Sequence, residues 1–483
     1  QELAYQNLLN AATLEYQPNP STTLKFITSV YQTQEYEYFD ILGQYRLSAI
    51  ETNPESDDFQ EPTANLGVGS FLRHARNELD ATIYSAQHKG TSKWGEEGNV
   101  LKWGLRYQRE LIQDEFNEWR LLDSAGYSLP RGSEEQIQLD RSATNTLDLS
   151  NNRLTGYLQN TFTLDEASNA FLTAGVRGHY WDYNQQMLVS PRVQFTYEPN
   201  RAYNQEAILQ KPDSPDLKPN ITLRASGGSY QQPPFYREFR TRDGSVNPDI
   251  QAQRSYHAVA GLDWVFDIWG RPFRWSSSVY YKHMEDLIPY TIDDIRIRYF
   301  GENSATGYAV GWDNKIYGEF VKGLPSWLSL SIMQTKADID ESELEGDQEE
   351  QGYIRRPQDQ RVQFGLYFQD FLPNFPEYKV FLNTVFGSNL PLSPPDKPTQ
   401  RGDFQTDAYS RVDIGFSRRI NTRQTDGFLS FSNNLWVSLE VLNLLNTRNT
   451  VSYFWARDIR GGQWAIPNYS TARRVNLKLK LDF

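Results

Sequence analysis

The chain of 483 residues contains no cysteine. That excludes disulfide scaffolds, CxxC zinc sites and thiol nucleophiles. Histidine is scarce: His74, His88, His179, His257 and His283 are the only five. No two of them stand at ligand spacing, which argues against a His-rich metal centre. No run of about 18 apolar residues occurs, so a transmembrane helix is excluded. Positive charge is in deficit: 48 Lys and Arg against 61 Asp and Glu leave a net −13. That balance argues against a general phosphate-binding surface and against a nucleic-acid partner. A mean hydropathy of −0.67 resembles that of a soluble protein, but alternating strands give membrane barrels a low mean as well. The chain opens at Gln1 with neither an initiator Met nor a signal peptide, so a processed or truncated product is expected.

Aromatic residues are abundant: 29 Tyr, 26 Phe and 12 Trp stand against 3 Met. This balance favours pleated structure over helices. At the C-terminus Val475, Leu477, Leu479, Leu481 and Phe483 alternate with Asn476, Lys478, Lys480 and Asp482. A period of two puts the apolar set on one face and the polar set on the other. The same alternation recurs in Val412–Phe416, Leu435–Val441, Val362–Phe368 and Phe273–Val279. Strands are predicted near 6–17, 23–36, 77–89, 99–110, 144–164, 170–183, 189–198, 221–231 and 251–266. Eight more fall near 272–288, 305–320, 326–336, 361–372, 378–388, 409–420, 434–445 and 473–483, about 17 in all. No segment shows a clear 3.6-residue apolar stripe.

The connections alternate between short, as at 165–169, 267–271, 321–325 and 372–376, and long, as at 37–76, 111–143, 232–250, 289–304, 337–360 and 446–472. Links at 199–220, 421–433 and 184–188 break the rule. Short turns on one rim and long loops on the other are the plan of an outer-membrane barrel. The fold class predicted is all-β, an antiparallel transmembrane β-barrel in the outer membrane of a Gram-negative cell. A soluble β-rich glycan hydrolase or lectin is the bland alternative.

Specific segments narrow the class. Ala408-Tyr409-Ser410-Arg411-Val412-Asp413-Ile414-Gly415-Phe416, Leu439-Glu440-Val441-Leu442-Asn443-Leu444-Leu445-Asn446 and the run from Asn468-Tyr469 through Arg473-Arg474 to Phe483 follow one another in order. With Tyr230–Tyr236 and Tyr280-Tyr281-Lys282, they resemble the barrel of TonB-dependent outer-membrane receptors of the Bacteroidota type. The resemblance covers the last 270 residues or so. It implies a 22-stranded barrel closed by an N-terminal plug. Residues 1–483 would then be the C-terminal part of one barrel domain, strands 6 to 22, without plug or first strands. Implied partners are outer-membrane lipid, the chain's own plug, a TonB-type inner-membrane energy transducer and other outer-membrane or surface lipoprotein subunits. The implied function is to bind a ligand at the extracellular loops and import it through the gated lumen. A barrel serving as scaffold or docking component of an outer-membrane assembly is the alternative.

Two groups of residues are candidates for that function. Arg224, Arg274, Arg361, Arg411, Asp413 and Glu440 lie on the polar phase of their strands and are expected to face the lumen or plug, since charge facing lipid costs about 2–4 kcal/mol near the midplane. Phe235, Tyr236, Arg237, Arg240, Arg242 and Asp243 fall on a long loop, where aromatic faces and guanidinium forks suit a polar, anionic or glycan-like ligand. A loop folded over the mouth by its own aromatics is the competing reading. The acidic stretch 338–350 fits an EF-hand poorly, because Glu343 stands where Gly is needed; a solvated loop is the better reading. Tryptophans near strand ends are expected in interfacial girdles. Gly227-Gly228-Ser229 reads as a strand-end turn and not as a nucleophile. No catalytic motif, cofactor site or metal site is recognised, and the chain is not read as an enzyme.

Overall fold

The computed structural model describes residues 2–59, 61–95, 98–123, 138–165, 169–212, 216–241, 244–293, 296–340, 352–372, 374–394, 401, 404–422, 432–457 and 463–482. The strands in chain order are β1 (Glu2–Asn19), β2 (Thr22–Ile50), β3 (Pro62–Trp94), β4 (Asn99–Asp123), β5 (Gln138–Thr163), β6 (Ala170–Trp181), β7 (Gln186–Tyr197) and β8 (Asn220–Gln232). There follow β9 (Gln253–Ile268), β10 (Arg271–Leu287), β11 (Tyr290–Asp293), β12 (Arg296–Tyr299), β13 (Ala305–Val321), β14 (Leu324–Ile339), β15 (Ile354–Arg355) and β16 (Val362–Leu372). The last are β17 (Phe375–Gly387), β18 (Pro391–Leu392), β19 (Phe404–Gln405), β20 (Tyr409–Asn421), β21 (Asn434–Leu442), β22 (Thr450–Arg457), β23 (Gln463–Tyr469) and β24 (Arg474–Asp482). One helix, α1 (Arg201–Gln210), joins β7 to β8.

Seventeen long strands form a single antiparallel sheet in which each pairs with its neighbours in the chain, and these are the strands the alternation predicts. The pairing puts like with like on each face. Val279 stands opposite Trp312, and Trp312 opposite Ile332. Phe416 stands opposite Leu439, and Leu439 opposite Leu477. These apolar side chains are exposed, Leu439 to 50% and Leu477 to 65%. A soluble sheet would bury such a face, whereas a barrel turns it to lipid. The alternate positions Asp413, Gly415 and Ser417 are buried on the opposite, inner face. Among the described residues the sheet does not close, since β1 pairs with β2 only and β24 with β21 only.

The first strands depart from their predicted bounds. β2, β3, β4 and β5 run for 29, 33, 25 and 26 residues, whereas a tilted span needs about 9–11. At about 3.3 Å per residue, β3 reaches roughly 110 Å along its own path. The connections predicted at 37–76 and 111–143 therefore shrink to 51–61 and to the stretch beyond Asp123. Charged and aromatic residues interrupt the clean alternation in these extensions, and the ladders continue through register shifts at Leu47/Ser48, Ala49/Ile50 and Arg120/Leu121. The result is a wall of two hairpins standing above the long-loop rim.

Three further readings are corrected. Residues 289–304 and 446–472 carry the hairpins β11–β12 and β22–β23 and are not plain loops. Gly227-Gly228-Ser229 is no strand-end turn; it lies inside β8. A Cβ at Gly228 would stand 2.8 Å from Arg192 Cγ and 2.9 Å from the Pro191 carbonyl, so this glycine permits the close approach of β7. The 199–220 link contains α1, which has no side-chain N-cap. That helix is held by the buried Asn204, whose amide donates to the Lys218 carbonyl and Asn220 Oδ1 at 2.9 and 2.8 Å and whose Oδ1 accepts the Lys218 N–H.

Candidate ligand site at the barrel mouth

Between β8 and β9 the chain turns inward and packs on the wall. Pro233 and Pro234 are buried and lead into a single 3-10 turn, Tyr236–Phe239. Phe239 and Ile250 are almost wholly buried against Leu79, Ala81, Ile112, Leu147, Leu149 and Trp181. The Phe239 ring meets Trp181 and Tyr183 edge to face, with centroids 5.9 and 5.1 Å away. Burying a phenylalanine of this kind contributes about 1.5–3 kcal/mol. Glu238, beside it, is buried and accepts the Phe235 N–H and the Gln253 amide, both at 3.0 Å. Burial pushes its carboxyl above the ordinary glutamate value.

The hairpin β11–β12 leans on the same wall through charge. Arg296 bonds Glu37 at 2.7 Å and also reaches Glu118. Arg298 reaches Glu118 as well, and Asn77 donates to both acids at 3.1 and 2.9 Å. Arg240 pairs with Asp114. Guanidinium faces cover rings: Arg240 and Arg298 lie over Phe116, at 4.4 and 5.4 Å, and Arg296 lies over Phe39 at 4.8 Å. Paired in this way, charges with little water around them are tolerable; removal of one partner would leave the other stranded.

Loop, hairpin and wall frame a half-open cavity of about 650 Å³. Its lining includes Phe235, Tyr236, Arg237, Tyr299, Glu35 and Trp119. Phe235 stands edge-on to Tyr236 and Tyr299. Arg237 is exposed and donates to the Tyr236 hydroxyl at 2.9 Å. The volume suits a small organic ligand, and the lining combines aromatic faces with many charged groups of both signs.

Of the loop residues singled out from sequence, Phe235, Tyr236, Arg237 and Arg240 all line this cavity. Arg240 is tied to Asp114, so its role there is to hold the loop. Arg242 and Asp243 lie outside the described residues, as do 341–350 of the acidic stretch and Phe483. The polar-phase residues are placed elsewhere. Arg224 and Arg274 converge on Asp263, at 2.6 and 2.7 Å. Arg411 bonds Asp413, whose Oδ1 also accepts the Asn443 N–H. Glu440 accepts from Asn476, and Arg361 bonds Asp359. Arg224, Arg274 and Glu440 reach across strands, Arg411–Asp413 and Arg361–Asp359 are pairs two residues apart in the chain, and none of the six lines the mouth cavity. Sequence reading missed Glu118, Asp114, Phe116, Arg296 and Arg298. The Ile-Arg-Ile-Arg-Tyr alternation at 295–299 was the available signal. No group of His, Asp and Glu fit to hold a metal occurs among the described residues. Tryptophans divide between roles: Trp94 and Trp269 are exposed at or beside strand ends, where a girdle belongs, while Trp181 is buried under the loop.

An outward apolar belt, an inward polar face and rims of unequal loop length define an outer-membrane β-barrel with a partly capped mouth. Residues 3–444 match the family described as TonB dependent receptor-like, beta-barrel. The chain belongs to that TonB-dependent receptor family, whose members are receptors and not enzymes. No curated protein sequence matches it. Among solved structures it is similar to the ferric-catecholate import receptor Fiu of E. coli K12, with a TM-score of 0.62 at 14% identity over 99% of this chain and 64% of that one. It is also similar to the siderophore receptor PiuA of Acinetobacter baumannii (0.62, 10%, 99% and 64%) and to P. aeruginosa FpvA (0.56, 13%, 100% and 65%). The chain thus spans a little under two thirds of the length of each of these three receptors.

Proposed function

We propose that this chain is the barrel portion of a receptor of the Bacteroidota type that binds a ligand in the mouth cavity and passes it through a plug-gated lumen. The observation that carries the reading is the inward-folded loop 233–250, which with β11–β12 and the wall frames a half-open cavity lined by aromatic rings and by charges of both signs. The long-loop rim faces the outside of the cell, as in other outer-membrane barrels. A plug and a TonB-type transducer complete the machine, with surface lipoproteins as further partners. The six polar-phase residues serve as anchoring charges for the plug, and the Asn443-Leu444-Leu445-Asn446 turn supports the Bacteroidota assignment.

The test is native mass spectrometry of the receptor extracted from membranes, comparing wild type with Phe235→Ala/Tyr236→Ala/Arg237→Ala. A small molecule retained by wild type and lost from the triple variant supports import. Co-purifying proteins with no small molecule in either would favour the docking role instead.

A further inference from the structure

A second half-open cavity, of about 500 Å³, lies on the inner face of the sheet beneath the connections 388–408 and 443–473. It shares no lining residue with the mouth cavity. Strand register builds its wall. Ser331 stands opposite Gln363, Gln363 opposite Gly387 and Gly387 opposite Tyr409. One step lower Ser329 faces Gly365, and below that Trp327 faces Tyr367. Their neighbour Ile332 is exposed on the lipid side, so this set points into the lumen. The two glycines keep the hollow open. A Cβ at Gly387 would run into the Gln360 amide, and one at Gly365 would stand 2.9 Å from the Trp327 ring.

The lining differs in kind from that of the mouth. No lysine, arginine or histidine belongs to it, and Asp407 is its one carboxylate. Lys315 lies over the Trp327 ring at 5.6 Å and is no part of the lining. What remains is hydroxyls, amides and rings. Some of these hold the fold: the Gln360 amide donates to the Ser388 carbonyl at 2.9 Å, Ser388 Oγ accepts the Val362 N–H and Thr406 Oγ1 accepts the Leu390 N–H, both at 3.0 Å. Others are left over. Among the described residues the side chains of Ser329, Ser331, Gln363 and Asp407 have no hydrogen-bond partner, and Thr450 Oγ1 is buried without one. Hydroxyls and amides both donate and accept, so the leftover set as a whole asks for a partner that does both.

The geometry points to a second binding site, on the lumen wall, for a neutral, polyhydroxylated ligand of the carbohydrate class. Sugar hydroxyls donate and accept in turn, which is what Ser329, Ser331, Gln363 and Thr450 require. Asp407 accepts from two more hydroxyls and, with no base in the lining, works against an anionic ligand. Trp327 supplies the apolar ring surface on which the C–H face of a sugar rests. That surface continues below the cavity: Tyr367 follows Trp327 with ring centroids 6.4 Å apart, and Phe381 follows Tyr367 at 6.0 Å. The rings thus run down the lumen wall toward the short-turn rim. The site does not depend on what the mouth cavity binds.

The probes are the methyl glycosides of glucose, galactose and mannose. Saturation-transfer NMR is read on the membrane-extracted receptor in an amine-oxide detergent, which carries no sugar of its own. Wild type should bind at least one of the three saturably. Trp327→Ala and a Ser331→Ala/Gln363→Ala double variant should each weaken that binding about tenfold, the loss expected for a ring contact or for a pair of hydrogen bonds. Trp327→Phe keeps a ring and should fall between. The uronic acid of the bound sugar should bind more weakly than the sugar itself. Heat-modifiable gel migration reports that each variant is folded. Arg237→Ala, in the mouth cavity, should leave sugar binding unchanged, so failure of this site and failure of the import reading are separable. No saturable binding of any of the three by wild type, equal binding by a Trp327→Ala/Gln363→Ala variant, or a uronic acid bound as tightly as its sugar overturns the inference.

Discussion

Glu118 is the residue on which the mouth turns, since Arg296, Arg298 and Asn77 all bond to it. Glu118→Gln keeps the shape and removes the charge, leaving Arg296 with Glu37 and taking from Arg298 its carboxylate partner among the described residues. Because these groups are partly hydrated, the loss should be about 2–3 kcal/mol, at or below the low end for a broken buried pair. Hydrogen exchange should rise at 290–299 and stay unchanged in β16. Glu238 sets a pH response. Its carboxyl in the closed loop titrates above the ordinary 4.5 because of burial. The folded loop therefore holds the proton more tightly than an opened one. The stabilisation is full below 4.5 and is lost as pH rises through the raised value. Exchange at 236–247, corrected for intrinsic rates, should slow as pH falls towards 4.5, and Glu238→Gln should abolish the trend.

At the scale of elements, the two faces of one strand make opposite demands. Leu439 and Glu440 are neighbours on β21, one pointing to lipid and one bonded to Asn476 inside. Leu439→Arg should cost about 2–4 kcal/mol in folding into lipid vesicles, while Glu440→Gln should cost under about 1 kcal/mol; urea titration of the inserted protein measures both. This alternation is why the strands were legible in the sequence, since lipid and lumen impose a period of two with little noise. Where the solvent is water on both faces, as in the upper parts of β2 to β5, the constraint lapses and the predicted ends fall short. The helix α1 was illegible for another reason. It is fixed by the three hydrogen bonds of Asn204 and not by an apolar stripe. The mouth was legible in part: the Pro-Pro-Phe-Tyr loop announced itself by composition, but its acidic partners sit on distant strands, where only the tertiary register brings them together.

At the scale of the whole molecule, the sheet described here has two unpaired edges, β1 and β24. Backbone groups on such an edge have no water to bond in hydrocarbon. Residues 1–483 expressed alone should therefore associate edge to edge, giving masses above 56.0 kDa by light scattering in detergent and no heat-modifiable band. The tall hairpins β2–β3 and β4–β5 have a different consequence. A large particle approaching the cell meets the turn at the top of β2–β3, near Asn53–Phe59, before it meets the cavity lined lower on the same strands by Glu35, Phe39, Arg73 and Leu79. Substitutions in that turn should therefore alter what a large particle can grip while leaving the cavity lining untouched.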